Sequence, residues 1–306
     1  ATLPLRLYET LGVRKLFYLL GLNRLMPQKL RDLEAMLPKI PVRPLRRVLP
    51  EVTRAYGEER RRVGFFLGCA QSLLFASQSA ATLRVLARNG CTVITPKEVE
   101  CCGMPAKGYG RPDLVEEQAR HNIAVFERCN VDTIITDCAT CGSMLREYGS
   151  LLAKDVQWKA RAEAFGRSVK DISEFLCEIP LRKPAGRVER KVTYHDPCHL
   201  RRGQKIWNEP RRLLSMIEGL EFVELPEADW CCGSAGSQLI THYETSTRVL
   251  GRKIDNIAKT EATVIASGCP GCQMQLNTGL KRHGLPVRVV HPVTLLDEAY
   301  GGADGE

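Results

Sequence analysis

The 306-residue chain has no stretch approaching the roughly 18 uninterrupted apolar residues that a membrane-spanning helix requires. No signal peptide with a cleavage site stands at its start, which sets the expectation of a reducing, cytoplasmic compartment. A glycine-rich nucleotide fingerprint, a Walker motif and a Ser-His-Asp set are all missing, so dinucleotide binding, P-loop phosphate chemistry and triad hydrolysis find no support. Basic residues are not interleaved with aromatics as in a nucleic-acid-binding module, and no nucleic-acid partner is expected. The linear C-x2-C-x2-C-x3-C-P run of bacterial ferredoxins is absent too.

Cysteine, in contrast, is abundant, and ten of the thirteen copies fall into one pattern that occurs twice. The first copy is Cys69, Cys101-Cys102-Gly103 and Cys138-Ala139-Thr140-Cys141. The second is Cys198, Cys231-Cys232-Gly233 and Cys269-Pro270-Gly271-Cys272. As spacings these are C-x31-CC-x35-C-x2-C and C-x32-CC-x36-C-x2-C. Two long gaps that agree to within one residue indicate an internal duplication.

In a small secreted domain such cysteines would form disulfides; in a long chain without an export signal they point to metal. Adjacent Cys-Cys pairs and repeated C-x2-C pairs suit a metal cluster better than a disulfide framework. Structural zinc takes four ligands, usually from two close pairs. Five cysteines from three places exceed one zinc and suit iron–sulfur chemistry, with a zinc-stabilised interaction module as the alternative. Spacing alone leaves the cluster type open.

The order of elements predicts an α/β fold: two tandem duplicated strand–helix domains with parallel sheets, preceded by a helical N-terminal segment. Residues 1–62 form that segment and a proline-broken linker, 63–182 the first cysteine-rich domain and 188–302 the second. The leucines at 3, 5, 7, 11, 16, 19, 20 and 22 predict a helical face that packs on the body of the chain or on a neighbour. Charge is uneven: the net +9 resides mainly in residues 1–62, with 14 Lys/Arg against 6 Asp/Glu, a balance of +8. A solvated surface, an acidic protein partner and anionic lipid headgroups all fit that bias. The chain opens on Ala1, which sets the expectation of processing or of excision from a longer protein.

In each copy, apolar runs such as 63–67, 131–136, 191–194 and 263–266 lead into the cysteines, and helical stretches follow. All three groups should therefore gather at the carboxyl edge of one sheet, where open α/β sheets bind ligands. Turn and helix N–H groups there stabilise anionic sulfur. Gly103, Gly233 and Gly271 are expected to let backbone approach a metal closely.

The doubled C…CCG…CxxC pattern resembles the cysteine-rich CCG-domain iron–sulfur family, which includes the cysteine-rich subunit of heterodisulfide reductase. Tyr194-His195-Asp196-Pro197-Cys198-His199-Leu200, Asp229-Trp230-Cys231-Cys232-Gly233-Ser234-Ala235-Gly236, 171–176 and 285–294 are most similar to the glycolate oxidase iron–sulfur subunit group. The resemblance implies an electron-transfer subunit that accepts electrons from an FAD-containing dehydrogenase partner oxidising a 2-hydroxy acid, glycolate or D-lactate. A membrane quinone is one implied acceptor, and peripheral attachment to the inner face of the cell membrane goes with it. Family members usually carry an N-terminal two-cluster ferredoxin domain; here it is expected to be removed or separately encoded. Glycolate-type members often lack one C-x2-C cysteine, whereas all ten are kept here. That completeness resembles heterodisulfide reductase. It implies two [4Fe-4S] clusters, noncubane ones with five cysteines each, and disulfide reduction at a cluster as the alternative activity.

His195, Asp196 and His199 flank Cys198 and have no polar counterparts around Cys69. They are expected to hydrogen-bond or deliver protons at the cluster, against a plainer expectation of a helix cap by Asp196 and ordinary packing. Arg201 and Arg202 either offset cluster charge or lie on a solvated face. Cys91, Cys129 and Cys177 fall outside the pattern and are read as small buried hydrophobes.

Overall fold

The computed structural model describes Tyr8, residues 11–36 and residues 43–302. Among the described residues nine strands are found: β1 (Val52–Thr53), β2 (Arg61–Phe65), β3 (Cys91–Ile94), β4 (Ile134–Thr136), β5 (Val169–Asp171), β6 (Arg190–Tyr194), β7 (Leu220–Phe222), β8 (Val264–Ala266) and β9 (Arg288–Val290). They form two sheets, ordered β1-β3-β2-β4-β5 and β7-β6-β8-β9. Every pairing is parallel except β1 with β3. The duplicated α/β architecture is thus present, with the same strand order in both halves.

The register repeats as well. Gly64 pairs with Ile134 in the first sheet and Thr193 with Ile265 in the second. Each pair stands five residues before the first cysteine of its half and four before the C-x2-C. The chain crosses from β2 to β3 on one side and then to β4 on the other, so β2 and β4 flank the point where strand order reverses. Ligand crevices of open parallel sheets form at such a point.

Burial explains why these runs are strands. Val63, Phe65, Phe66 and Leu67 are all buried, as central strands covered on both faces require. The helices Ala76–Arg88 and Pro292–Ala299 pack between the halves, and a single apolar cluster holds Phe65, Val93 and Phe175 together with Val192, Tyr194 and Leu296. Arg84 binds Asp297 across this boundary with both Nε and Nη2, the latter at 2.6 Å. Asp171, the last residue of β5, and His291, just after β9, each accept the N–H two residues on, capping equivalent helices.

Some local expectations shift. The helical stretch expected after the second Cys-Cys-Gly is two helices, Gln238–Thr241 and Tyr243–Thr260, broken at His242. The segment after Cys198 is a π-type turn, His199–Gln204, before the helix Asn208–Ser215. The linker contributes β1, which the proline-rich sequence does not announce. In the N-terminal segment, Leu11, Leu16, Leu19, Leu20 and Leu25 are exposed and not packed on the body of the chain. The helix Gln28–Met36 does dock, on Pro270–Arg282, with Asp32 bound to Tyr243 and Arg282. The leucines at 3, 5 and 7 and the linker residues 37–42 lie outside the described residues.

Candidate metal centres

The first cysteine group assembles where β2, β3 and β4 end. Cys69 opens the helix Cys69–Leu74, and Cys138 caps Ala139–Arg146, its Sγ accepting from Cys141 N at 3.3 Å. Cys69, Cys101, Cys102, Cys141 and Cys138 stand close together in that order, and the ionisation of each of the first four is shifted by its neighbours. Cys101 is pulled down to about 3 by Cys102 first and Cys69 next, with Gly103 N–H among the further donors. The exposed Cys69 is pushed up chiefly by Cys101, and the buried Cys102 and Cys141 by their neighbouring thiols first and by burial.

The second group repeats this at the ends of β6, β7 and β8. Cys232 Sγ lies 3.2 Å from Cys272 Sγ, and Gly233 N donates to Cys231 Sγ at 3.3 Å. Cys232 is pulled well down by Cys231 and Cys272, while Cys231 and Cys272 are pushed up by their bonds to it. Cys269 falls to about 7, chiefly through Cys272. Cys198 is pushed up by burial, with Cys269 and Cys232 as charged neighbours.

The electrostatics describe what such a site needs. Thiols this close cannot all ionise beside one another, so each ionised sulfur is surrounded by protonated ones. A polycationic centre would remove that conflict by favouring the thiolate form of its ligands. Five soft sulfur donors per half exceed a tetrahedral zinc shell and fit iron–sulfur ligation.

The CCG glycines also answer a packing constraint that needs no metal. Gly103 and Gly233 have φ of +93° and +83°, a left-handed turn that favours glycine. A Cβ on Gly233 would lie 2.5 Å from the Ser246 carbonyl oxygen, and one on Gly103 would lie 2.9 Å from Val115 Cγ1. Glycine therefore lets the long helix of each half pack directly against the cysteine turn.

Of the three polar residues flanking Cys198, His195 meets two other cysteines of the group: it, Cys232 and Cys272 bring ligand atoms within 4.8 Å of one another, all buried. Asp196 is buried but bound to Arg201 at 2.6 Å and Arg211 at 2.8 Å. His199 Nδ1 is 3.7 Å from Cys198 Sγ and 3.4 Å from Thr140 Oγ1. Arg202 stays largely exposed, 3.8 Å from Asp229. Cys91 is fully buried, whereas Cys129 and Cys177 are half-buried with thiols on the carbonyls of Val125 and Glu209.

Four further residues meet the sites without a motif to mark them. Arg46 reaches from the linker to the carbonyls of Val99 and Leu67, near Cys69 and Cys101; burial lowers its pKa and those sulfurs oppose the shift. Lys253, buried on Tyr243–Thr260, donates to the carbonyls of Glu227 and Ala228 at 2.5 and 3.2 Å. Burial brings it to about 8, with Cys232 the first opposing charge. In the first half, Asn122 donates to Cys101 O at 3.0 Å and Tyr148 to Cys102 O at 2.9 Å.

Comparisons with known proteins agree with this geometry. A "Probable glycolate oxidase iron-sulfur subunit" of Bacillus subtilis is 39% identical over 299 residues, covering 96% of this chain and 67% of that protein. A fumarate reductase (CoM/CoB) subunit of Methanothermobacter marburgensis is 37% identical over 78% of this chain and 46% of its own length. "Lactate utilization protein A" of Anoxybacillus flavithermus is 32% identical over 77% and 98%. The chain thus spans about half the length of the archaeal relative and two thirds of the Bacillus one. Glutamate racemase isoform RacE1 from Bacillus anthracis, with TM-score 0.33 and 10% identity over 79% of this chain and 80% of that one, is too distant to support an argument. The family model described as "Cysteine-rich domain" (CCG) matches residues 63–146 and again 192–277, the two segments that carry the thiol groups. The chain belongs to the CCG cysteine-rich domain family.

Proposed function

We propose that this chain is an iron–sulfur electron carrier in a flavin-linked 2-hydroxy-acid dehydrogenase, with one cluster in each half. The observation that carries the reading is the convergence of five cysteines at equivalent strand ends in both halves. Cys69, Cys101, Cys102, Cys138 and Cys141 would hold one cluster, and Cys198, Cys231, Cys232, Cys269 and Cys272 the other. Five thiolates per site suit a noncubane [4Fe-4S] form. Such clusters supply one-electron acceptance and release. The protein's part is to hold sulfur at fixed strand ends, to donate N–H groups from Gly103, Met104, Gly233 and Cys272, and to keep cations behind the turns.

The names of the Bacillus and Anoxybacillus relatives support glycolate or lactate as the substrate class. Oxidation itself is assigned to an FAD-bearing partner, with a ferredoxin-type domain or subunit and a membrane quinone as further members of the chain of carriers. No helix among the described residues is long and apolar enough to cross a membrane. Attachment to the inner face of the cell membrane would therefore be peripheral, and the exposed leucines of the basic N-terminal segment are the surface for it. A second reading, disulfide reduction at a cluster, is favoured by the relative named for CoM/CoB and by the complete set of ten cysteines.

Anaerobic purification followed by iron, sulfide and zinc analysis and EPR tests the reading. About eight irons and about eight sulfides per chain are expected. Zinc without acid-labile sulfide in protein never exposed to air would refute it. A disulfide that perturbs the EPR signal of the reduced protein would favour the second reading.

A further inference from the structure

The two cysteine groups meet where the halves touch. Ala139, inside the first C-x2-C, donates its N–H to the carbonyl of Gly268, just before the second C-x2-C, at 2.9 Å. One residue on, Thr140 Oγ1 lies 3.3 Å from Cys269 Sγ and 3.4 Å from His199 Nδ1. Gln204 secures the same loop by donating to the carbonyl of Ala139 at 2.9 Å and, more weakly, to that of His199 at 3.3 Å. Cys269 is buried, so water does not compete for its sulfur.

A metal-bound thiolate only accepts, so the hydroxyl at this distance is the donor. The equivalent of Thr140 in the second half is Gly271, which has no side chain to return the contact. The relationship therefore runs one way, from the first half to a ligand of the second. Hydrogen bonds to ligand sulfur stabilise the added negative charge of a reduced cluster and raise its potential. The loop that presents the hydroxyl is itself bracketed by Cys138 and Cys141, which belong to the first thiol group.

We propose that Thr140 is a positioning residue that couples the two sites: its hydroxyl, held by the first C-x2-C loop, donates to Cys269 and raises the potential of the second cluster when the first site is loaded. This inference rests on the reading that both cysteine groups hold clusters.

EPR-monitored redox titration of the anaerobic holoprotein tests it, with the second-site signal identified as the one that Cys232→Ser removes. Thr140→Val is expected to lower that midpoint by about 59 mV, tenfold in a one-electron equilibrium constant, and to leave the first-site midpoint unchanged. Thr140→Ser, which keeps the hydroxyl, is expected to stay near wild type. Cys102→Ser, which disables the first site, should shift the second midpoint in the same direction as Thr140→Val. If both valine and alanine at position 140 lose only the second cluster while serine retains it, the hydroxyl is again the group at work. Unchanged midpoints in Thr140→Val overturn the proposal, as do equal shifts in the valine and serine variants or equal shifts at both sites. Wild-type protein without labile sulfide would instead refute the electron-carrier reading itself, before any variant is compared.

Discussion

Asn122 and Lys253 occupy the same place in the two halves. The helix Pro112–Glu127 buries Val115, Ala119, Asn122, Ile123 and Phe126, and Tyr243–Thr260 buries Ser246, Leu250, Lys253, Ile254 and Ile257 at the same intervals. Val115 and Ser246 are the residues against which the two CCG glycines pack. A neutral amide thus stands behind one cysteine turn and an ammonium group behind the other.

That difference predicts unequal potentials. A unit charge roughly 10 Å from a redox centre is worth about 1.7 kcal/mol at an effective dielectric constant near 20, or about 70 mV for one electron. Lys253→Asn, which gives the second half the first half's residue, should lower the second cluster's midpoint by that order. The first midpoint should not move. Redox titration with EPR detection measures both at once.

Arg46 predicts the complementary effect at the other site. Its guanidinium crosses from the linker to carbonyls beside Cys69 and Cys101, so it both neutralises charge and ties the linker down. Arg46→Gln should lower the first midpoint and speed iron loss to a chelator from that half alone. Leaving two buried carbonyls without a charged donor should also cost about 1–3 kcal/mol in stability. Chelation rates followed by the visible absorbance, alongside urea midpoints, separate the two consequences.

These two cations show why the sequence is legible in some places and not in others. The cysteine groups and the parallel strands that lead to them follow from local runs: Val63 to Leu67, Ile134 to Thr136 and Val264 to Ala266 are apolar stretches that run up to cysteines. Spacing then repeats the arrangement in the second half. Lys253 was readable in principle, because it falls in phase with Leu250, Ile254 and Ile257 on a buried face. A lysine in that phase is ordinarily read as the polar edge of a helix. Arg46 carries no such signal, since its site lies more than twenty residues further along and the contact depends on how the linker folds back. The reason for the CCG glycines also needed three dimensions, because the atom that excludes a side chain at Gly233 belongs to Ser246.

The glycine contacts themselves predict a ranking. Gly233→Ala forces a left-handed residue with a Cβ onto a backbone oxygen that a helix holds in place. The left-handed backbone alone costs roughly 1–2 kcal/mol, and the clash adds to it. Gly103→Ala meets only the tip of Val115, which can turn, and Gly271→Ala would come no closer than 3.2 Å, to Ser234 Oγ. Cluster content after anaerobic purification should fall most in Gly233→Ala, less in Gly103→Ala and least in Gly271→Ala. A deficit in Gly271→Ala as large as in Gly233→Ala would return the explanation to approach of the backbone to the metal.

Asp171 gives a pH dependence with a definite sign. Its Oδ1 accepts from Ser173 N at 2.8 Å, Oδ2 has no hydrogen-bond partner among the described residues, and burial pushes the carboxyl up to about 7 from 3.8. Between those values the folded chain holds a proton that the unfolded chain releases, so this residue's contribution to stability falls as pH rises and is lost above about pH 7. Asparagine caps the same N–H without the charge. Asp171→Asn should therefore gain on wild type by about 2 kcal/mol between about pH 5.5 and about pH 8. The difference in urea midpoints between the two proteins, measured at each pH, cancels the other titrating groups. A difference that stays constant would mean that Asp171 keeps one protonation state throughout, and its free oxygen would then have a partner in solution.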